Sequence, residues 1–264
     1  MTSLADTPGE AWCHRYIYQL TYSTKHCIVC EGKLRFRRSY AWCHSCRKKI
    51  SAKAATWLRG SKLSYRQIYQ LIWCWQKRKN AGFMKDALGI SYTTVQRWYA
   101  RFRAHVPKDA TEQLLVDLVE VDESFFGKKR YNNQMIVIGA IEPKTRRIKL
   151  QIITDREAET FEAFLETNVH TKTTVMTDSH PSYNDLNFLG YTHYAFNHSE
   201  GEYSNTNQIE NLWGVIKRYM RKLYGCVPTK HLQSILDEWT ARQNRPSLFV
   251  SPENYLDACL FRIS

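Results

Sequence analysis

Four cysteines in two close pairs constrain this chain more than any other feature. Two residues separate Cys27 from Cys30, twelve follow, and Cys43 and Cys46 repeat the two-residue gap. Such a gap lets both thiolates of a pair turn toward one point. Two pairs then complete a tetrahedral shell with Zn–S distances of about 2.3 Å. The central gap is shorter than the roughly 15–20 residues common between such pairs, so a short hairpin has to close it. His26 and His44 stand beside the pairs, but four cysteines suffice. The first ten residues are polar and acidic, unlike a secretory leader, which argues against disulfides. Tandem pairs outside a βαβ context also favour metal over a redox pair. A zinc ribbon over 21–53, after an N-terminal segment 1–20, is expected. Cys13, Cys74, Cys226 and Cys259 are isolated and are expected to be buried as small apolar residues.

Charge divides the chain unevenly. Residues 1–110 contain 21 Lys/Arg and 5 Asp/Glu, a balance of +16, whereas 111–264 contain 17 and 20, a balance of −3. A basic front half joined to a nearly neutral remainder is the footprint of a nucleic-acid-binding region attached to something else. Lys33, Arg35, Arg37, Arg38, Arg47, Lys48 and Lys49 surround the cysteine pairs, and Arg35, Arg37, Arg38, Lys48 and Lys49 are the candidate phosphate contacts. Tyr40 and Trp42 are expected to form the ribbon's small core. No apolar run approaches the roughly 18 residues that span a bilayer, so no membrane partner is expected. A hydrophobic fraction of 43% is enough to bury real cores, which excludes wholesale disorder.

The pattern turns helical between Ser64 and Val106. Ile68, Leu71, Ile72 and Trp75 fall at i, i+3, i+4 and i+7, one stripe of an amphipathic helix. Phe83, Ala87 and Leu88 predict a shorter second helix. Gly89 breaks it, and Ser91 caps a third carrying Val95, Trp98 and Phe102. A small Gly-containing turn between two short helices suits a helix-turn-helix over 60–106. Thr93, Thr94, Gln96 and Arg97 would then face DNA, Gln and Arg being the side chains that read adenine and guanine bidentately.

Pro107 and Asp109 mark a linker, after which the residues read as strands. Strands are expected at 114–122, 134–141, 147–154, 173–177 and 192–196, and helices at 157–169, 206–223 and 229–244. This order suggests an α/β domain over 112–264, with a mixed sheet covered on its faces. Asp122 is expected to end the first strand and Asp178 to follow the buried strand Thr174–Thr177. Glu210 sits on a helix whose apolar face includes Ile209, Leu212, Trp213 and Ile216, with Lys217 two turns on. Alternation puts Val119 and Val121 on one face of their strand and Glu120 and Asp122 on the other.

Carboxylates on separate elements suit phosphodiester chemistry. Two divalent cations about 3.5–4 Å apart can stabilise the attacking and leaving oxygens together. Mg²⁺ takes oxygen ligands and keeps several waters, so three acids suffice, and a lysine beside them holds a phosphate. Glu120 or Glu123 in place of Asp122 is the alternative ligand. His193 and His198 flank a strand near these acids, as candidate DNA contacts, supports of the metal site or structural residues.

The order of parts resembles bacterial insertion-sequence DDE transposases with an N-terminal zinc ribbon, the ISXO2-like group related to the eukaryotic Merlin elements. The stretches that carry the resemblance are Val119–Phe126, Met176–Tyr183, Tyr191–Ser199, Thr206–Lys217 and His231–Arg245. The resemblance implies a ribonuclease H-like catalytic domain whose acids are Asp122, Asp178 and Glu210, with Lys217 beside them. It also implies two Mg²⁺ or Mn²⁺ per active site besides the structural Zn²⁺. The partners it implies are terminal inverted repeats and target DNA, bound by a homo-oligomer that acts on both ends. The activity implied is cleavage that exposes 3′-hydroxyls, then their transfer to target DNA. The alternatives are a catalytically retired DNA-binding descendant and a ribonuclease H-like nuclease. The expected location is the bacterial cytoplasm, at the nucleoid, or the nucleus of a eukaryotic host.

Overall fold

The computed structural model describes residues 3–107, 114–128, 133–196 and 207–260. Asp109, His198 and Thr206 lie outside them. Contacts divide the chain into two units, Met1–Pro107 with Pro246–Ser264, and Lys108–Arg245.

The first unit opens with a helix, α1 (Glu10–Tyr22), which runs from the segment 1–20, where no element is expected, into the start of the expected ribbon at 21. Its buried face is Cys13, His14, Ile17, Tyr18 and Thr21, and the polar residues in that stripe hide the helical period. Three short antiparallel strands follow: β1 (Leu34–Phe36), β2 (Ala41–Cys43) and β3 (Lys49–Ile50). Then come α2 (Tyr65–Gln76), α3 (Ala81–Leu88) and α4 (Tyr92–Ala104). A reciprocal capping box starts α2: the Gln67 N–H donates to the Ser64 hydroxyl and the Ser64 N–H to the Gln67 side chain. Ile68, Leu71, Ile72 and Trp75 are fully buried, as their spacing requires. Gly89, at φ +63°, ends α3 in the left-handed region, and the Ser91 hydroxyl accepts the Thr94 N–H to start α4. Val95, Trp98 and Phe102 are buried. The apolar face of α3 differs from expectation. Ala81 and Met84 are buried, whereas Phe83 is exposed under the Lys79 ammonium, 5.0 Å from its ring centre.

His14 ties α1 to the strand region. Its Nδ1–H donates to the Arg37 carbonyl at 2.7 Å, its ring stacks on Tyr65 with centres 4.0 Å apart, and Nε2 is buried without a hydrogen-bond partner. Burial pushes its pKa down, so the neutral ring is the folded form.

The second unit is a five-stranded sheet in the order β6-β5-β4-β7-β8. Its elements are β4 (Leu118–Phe126), β5 (Met135–Ile141), β6 (Ile148–Ile153), α5 (Ala158–Asn168), β7 (Thr174–Asp178), β8 (Thr192–Phe196), α6 (Asn207–Tyr224) and α7 (Thr229–Asn244). The first three strands are antiparallel neighbours, and β7 and β8 run parallel to β4. This is the ribonuclease H-like mixed sheet that the resemblance implies. Strand alternation splits the core in two. Val119, Val121, Ile138 and Ala140 pack with Phe161, Phe164 and Leu165 of α5. Phe126, Val137 and Ile141 pack on the opposite face with Ile209, Trp213 and Ile216 of α6 and Ile235 and Trp239 of α7. The first strand runs later than its expected 114–122. Leu115 makes only an isolated bridge to Val169, while Phe125 and Phe126 pair with Ile136 and Met135.

The C-terminal segment, expected within a domain over 112–264, groups by its contacts with the first unit. Helix α8 (Pro252–Cys259) belongs to the first unit. Its Tyr255 hydroxyl donates to the Phe102 carbonyl at 2.9 Å, and the Trp57 indole N–H donates to the Cys259 carbonyl at 2.8 Å. The Gln76 amide donates to the carbonyls of Leu248 and Ser251. Tyr255 also packs edge-on against Trp75 and Phe102, so the last helix completes an aromatic core begun far upstream. Among the described residues, no helix is long and apolar enough to cross a membrane.

Two outcomes follow from this packing. Tyr255→Ala removes a fully buried aromatic and is expected to lower the unfolding free energy of the first unit by about 3–5 kcal/mol in chemical denaturation. The lowered pKa of His14 means that the unfolded chain takes up a proton before the folded one does. Its contribution to stability is therefore complete above the ordinary histidine value of 6.5 and falls as pH drops below it. Melting temperatures across pH 5–8 are expected to show this loss on the acid side, and His14→Phe to flatten it.

Candidate functional site

On the α6 side of the sheet, β4 presents a polar row, Glu120, Asp122 and Ser124, where burial alone would favour apolar residues. Each member meets a successive turn of α6. The Glu120 carboxylate accepts the backbone N–H groups of Gln208 and Ile209, both at 2.9 Å, at the start of the helix. One oxygen of Asp122 accepts the Trp213 indole N–H at 2.9 Å. The Lys217 ammonium donates to the Ser124 hydroxyl at 2.7 Å and lies 5.2 Å from the centre of the Phe126 ring. Burial pushes the pKa of Glu120 up, the two backbone donors pull it down, and the charge of Glu210 adds to the upward push.

Asp122 lies in mid-strand rather than at a strand end, because pairing with β5 continues to Phe126. The parallel pairing of β4 with β7 runs from Leu118↔Thr174 to Glu120↔Met176. Continuing that register two residues past its last pair brings Asp122 level with Asp178, the last residue of β7, whose charge acts on Asp122. Burial, then the charge of Glu123, and also that of Asp178 push Asp122 up to about 7, against the Trp213 hydrogen bond. Asp178 accepts the His180 backbone N–H at 3.1 Å. Glu210 is exposed in the first turn of α6, and Lys217 is half-buried two turns on. Burial lowers the Lys217 pKa while Asp122 raises it. The three acids do not crowd around one point. Among the described residues, only the cysteines gather three or more metal-type donors within 4.8 Å of one another.

The alternative ligands have other partners. Glu120 holds the start of α6, and Glu123 pairs with Arg156 and accepts the Tyr183 hydroxyl at 3.0 Å. His193 Nε2 is 2.9 Å from the Thr177 hydroxyl, one residue before Asp178, and burial lowers its pKa.

In the first unit the sulfurs of Cys27, Cys30, Cys43 and Cys46 lie within 4.8 Å of one another. Cys27 Sγ is 3.6 Å from Cys46 Sγ, and Cys30 Sγ is 3.4 Å from Cys43 Sγ. A tetrahedron with 2.3 Å Zn–S bonds has edges of about 3.8 Å, so the cluster is that of a zinc ribbon. The Cys46 backbone N–H, with the neighbouring thiols, pulls Cys43 down to about 6, toward the thiolate that metals bind. Of the isolated cysteines, Cys13, Cys74 and Cys259 are buried as expected. Cys226 is exposed, because it lies in the turn between α6 and α7.

The candidate DNA contacts are mostly on the surface. Arg35, Arg37, Arg38, Lys48 and Lys49 are exposed. Arg35 pairs with Trp42 and Trp42 with Lys49, so the two cations flank a half-buried indole in one cross-strand row. Thr93 and Arg97 are exposed on α4. Thr94 is half-buried with its hydroxyl 2.8 Å from that of Ser91, and the Gln96 amide donates to the Tyr92 hydroxyl.

Sequence reasoning missed Ser124, which shares the period-two row with Asp122. It read Trp213 only as an apolar residue.

Residues 114–244 match the ISXO2-like transposase domain family. No curated protein sequence matches the chain. Solved structures similar to the chain include the HTLV-2 integrase catalytic core domain in complex with magnesium, at 14% identity over 50% of this chain and 87% of that chain, TM-score 0.36. The BIV integrase catalytic core domain is similar at 14% identity over 48% of this chain and 83% of that chain, TM-score 0.36. So is a simian T-cell lymphotropic virus intasome in complex with the PP2A regulatory subunit B56 gamma, at 12% identity over 63% and 66%, TM-score 0.35. The family match, on a ribonuclease H-like sheet that sets Asp122 level with Asp178, identifies residues 114–244 of this chain as an ISXO2-like DDE transposase domain.

Proposed function

We propose that the protein is a metal-dependent DNA transposase that binds the inverted repeats at the ends of its element, cuts to expose 3′-hydroxyls, and joins them to target DNA. The observation that carries this reading is the level placement of Asp122 and Asp178 on adjacent parallel strands, with α6 and its Glu210 docked along the same strand. In this reading Asp122, Asp178 and Glu210 hold Mg²⁺ or Mn²⁺. The donor set fits: all three are oxygen ligands, and the upward push on Asp122 by Glu123 and Asp178 is one that a divalent cation relieves. When bound, the ions supply electrostatic stabilisation of the attacking and leaving oxygens.

The chain's own groups set the rest. Lys217, next to the acids, holds a DNA phosphate without competing for metal. Water is the first nucleophile and the DNA 3′-hydroxyl the second, so no side chain is needed as a covalent carrier. Arg35, Arg37, Arg38, Lys48 and Lys49 on the zinc ribbon contact phosphates. Thr93, Thr94, Gln96 and Arg97 at the start of α4 read the repeat. A homo-oligomer engages two ends, one catalytic unit for each.

Cleavage of labelled DNA carrying the flanking repeats, with Mg²⁺ or Mn²⁺, tests the reading. Asp122→Asn and Asp178→Asn are each expected to reduce nicking and joining to background while repeat binding stays at the native level. Loss of binding together with cleavage would assign these acids to structure alone. Cys43→Ser is expected to abolish zinc content by elemental analysis and to weaken repeat binding, because the ribbon no longer folds. Unchanged zinc content would remove the ribbon from the reading.

A further inference from the structure

We infer that Trp213 is a positioning residue for the catalytic centre, whose indole N–H fixes the Asp122 carboxylate in its metal-binding orientation, and that Gly139 is the seat that allows it. This rests on the reading of Asp122 as a metal ligand. Three features hold the indole. Gly139 is the β5 register partner of Asp122, and a Cβ placed there would lie 2.5 and 2.8 Å from two carbons of the Trp213 ring. The same Cβ would lie 3.0 Å from a Leu150 side-chain carbon, so the seat has no space for a side chain of its own. Phe126 meets the indole edge-on, with ring centres 6.0 Å apart. The backbone angles of Gly139 are ordinary for a strand, so what the missing side chain provides is the close approach of the ring to the sheet.

A buried indole N–H needs a partner. Here that partner is a carboxylate of the catalytic row, at 2.9 Å, with Trp213 only 5% exposed and water largely excluded. A hydrogen bond to an ionised group is shorter and about twice as strong as a neutral one. It occupies one oxygen of Asp122 and restricts rotation about the side chain's last bond. A residue placed only to fill the core under α6 would contribute its ring and nothing else. Outer partners of metal ligands typically change metal affinity by about 10–100-fold when lost.

The test measures Mn²⁺ binding to the zinc-loaded full chain without DNA, by calorimetry or by the Mn²⁺ paramagnetic resonance signal. Trp213→Phe removes the donor and part of the ring. Replacing Trp213 by benzothienylalanine exchanges only the N–H for sulfur and leaves the shape intact. Both are expected to weaken Mn²⁺ binding by about 10-fold or more, with native repeat binding and with cleavage restored at high Mn²⁺. Gly139→Ala is expected to do the same by pushing the ring aside. Native Mn²⁺ affinity in the benzothienylalanine variant would overturn the positioning role. Asp122→Asn is the control: native Mn²⁺ affinity in that variant would overturn the reading of Asp122 as a ligand, and this inference with it.

Discussion

The catalytic unit depends on a match of pitch between a strand and a helix. Two residues of β4 advance by about 6.6–6.8 Å, and four residues of α6 by about 6 Å. The steps are close enough that Glu120, Asp122 and Ser124 meet the first residues of α6, then Trp213, then Lys217 in turn. A polar row pressed beneath an apolar helix would be costly unless each member were satisfied, and each loss would be worth about 1–3 kcal/mol. Here the helix satisfies all three. Glu120 takes the N–H groups at the start of α6, where the helix dipole also favours a negative charge. That contact sets where α6 begins along the sheet, and with it the positions of Glu210, Trp213 and Lys217.

The other unit solves a different problem. Three strands totalling eight residues cannot bury enough surface to hold themselves together. Four cysteine sulfurs gathered at one point can hold a zinc ion that would tie the strands together, and α1 supplies a wall through His14, Tyr18 and their contacts with Phe36. The helical part is closed from the far end of the sequence, since Tyr255 fills the gap beside Trp75 and Phe102. A chain that leaves this unit at Pro107 and returns at Pro246 makes the catalytic unit an insertion within it. Local pattern gives no sign of that, because α8 reads as an ordinary amphipathic helix wherever it packs.

What was legible in the residues follows the same division between local and long-range physics. Cysteine spacing, the Ile68–Leu71–Ile72–Trp75 stripe, the Gly89 and Ser91 signals and the alternation of Val119 and Val121 each depend on chemistry within a few residues, and each has the expected place. α1 escaped because His14 and Thr21 interrupt its buried face. The face of α3 was misjudged because Phe83 is apolar yet lies over the surface with Lys79. Gly139 was invisible because its role is defined by an indole 74 positions away in sequence that reaches it only through the fold. Asp122, Asp178 and Glu210 stand out through their motif context, not through their individual patterns, since a lone strand Asp or helix Glu is ordinary.

The electrostatics of the acid row link the fold to the proposed chemistry. Burial and the charges of Glu123 and Asp178 all oppose ionisation of Asp122, while the Trp213 indole N–H favours it. Lys217, the nearest cation of the row, donates to Ser124 instead. Glu123 is itself committed to Arg156 and Tyr183, so its charge stays in place as a fixed repulsive neighbour. Burial and repulsion together hold the Asp122 carboxylate well above its ordinary range. In the proposed reading a divalent cation bound here would relieve that repulsion as well as gain its ligands. The hydrogen bond from Trp213 acts on the same balance from the protein side. It favours the ionised carboxylate without neutralising it, so in the proposed reading the charge stays available to a metal.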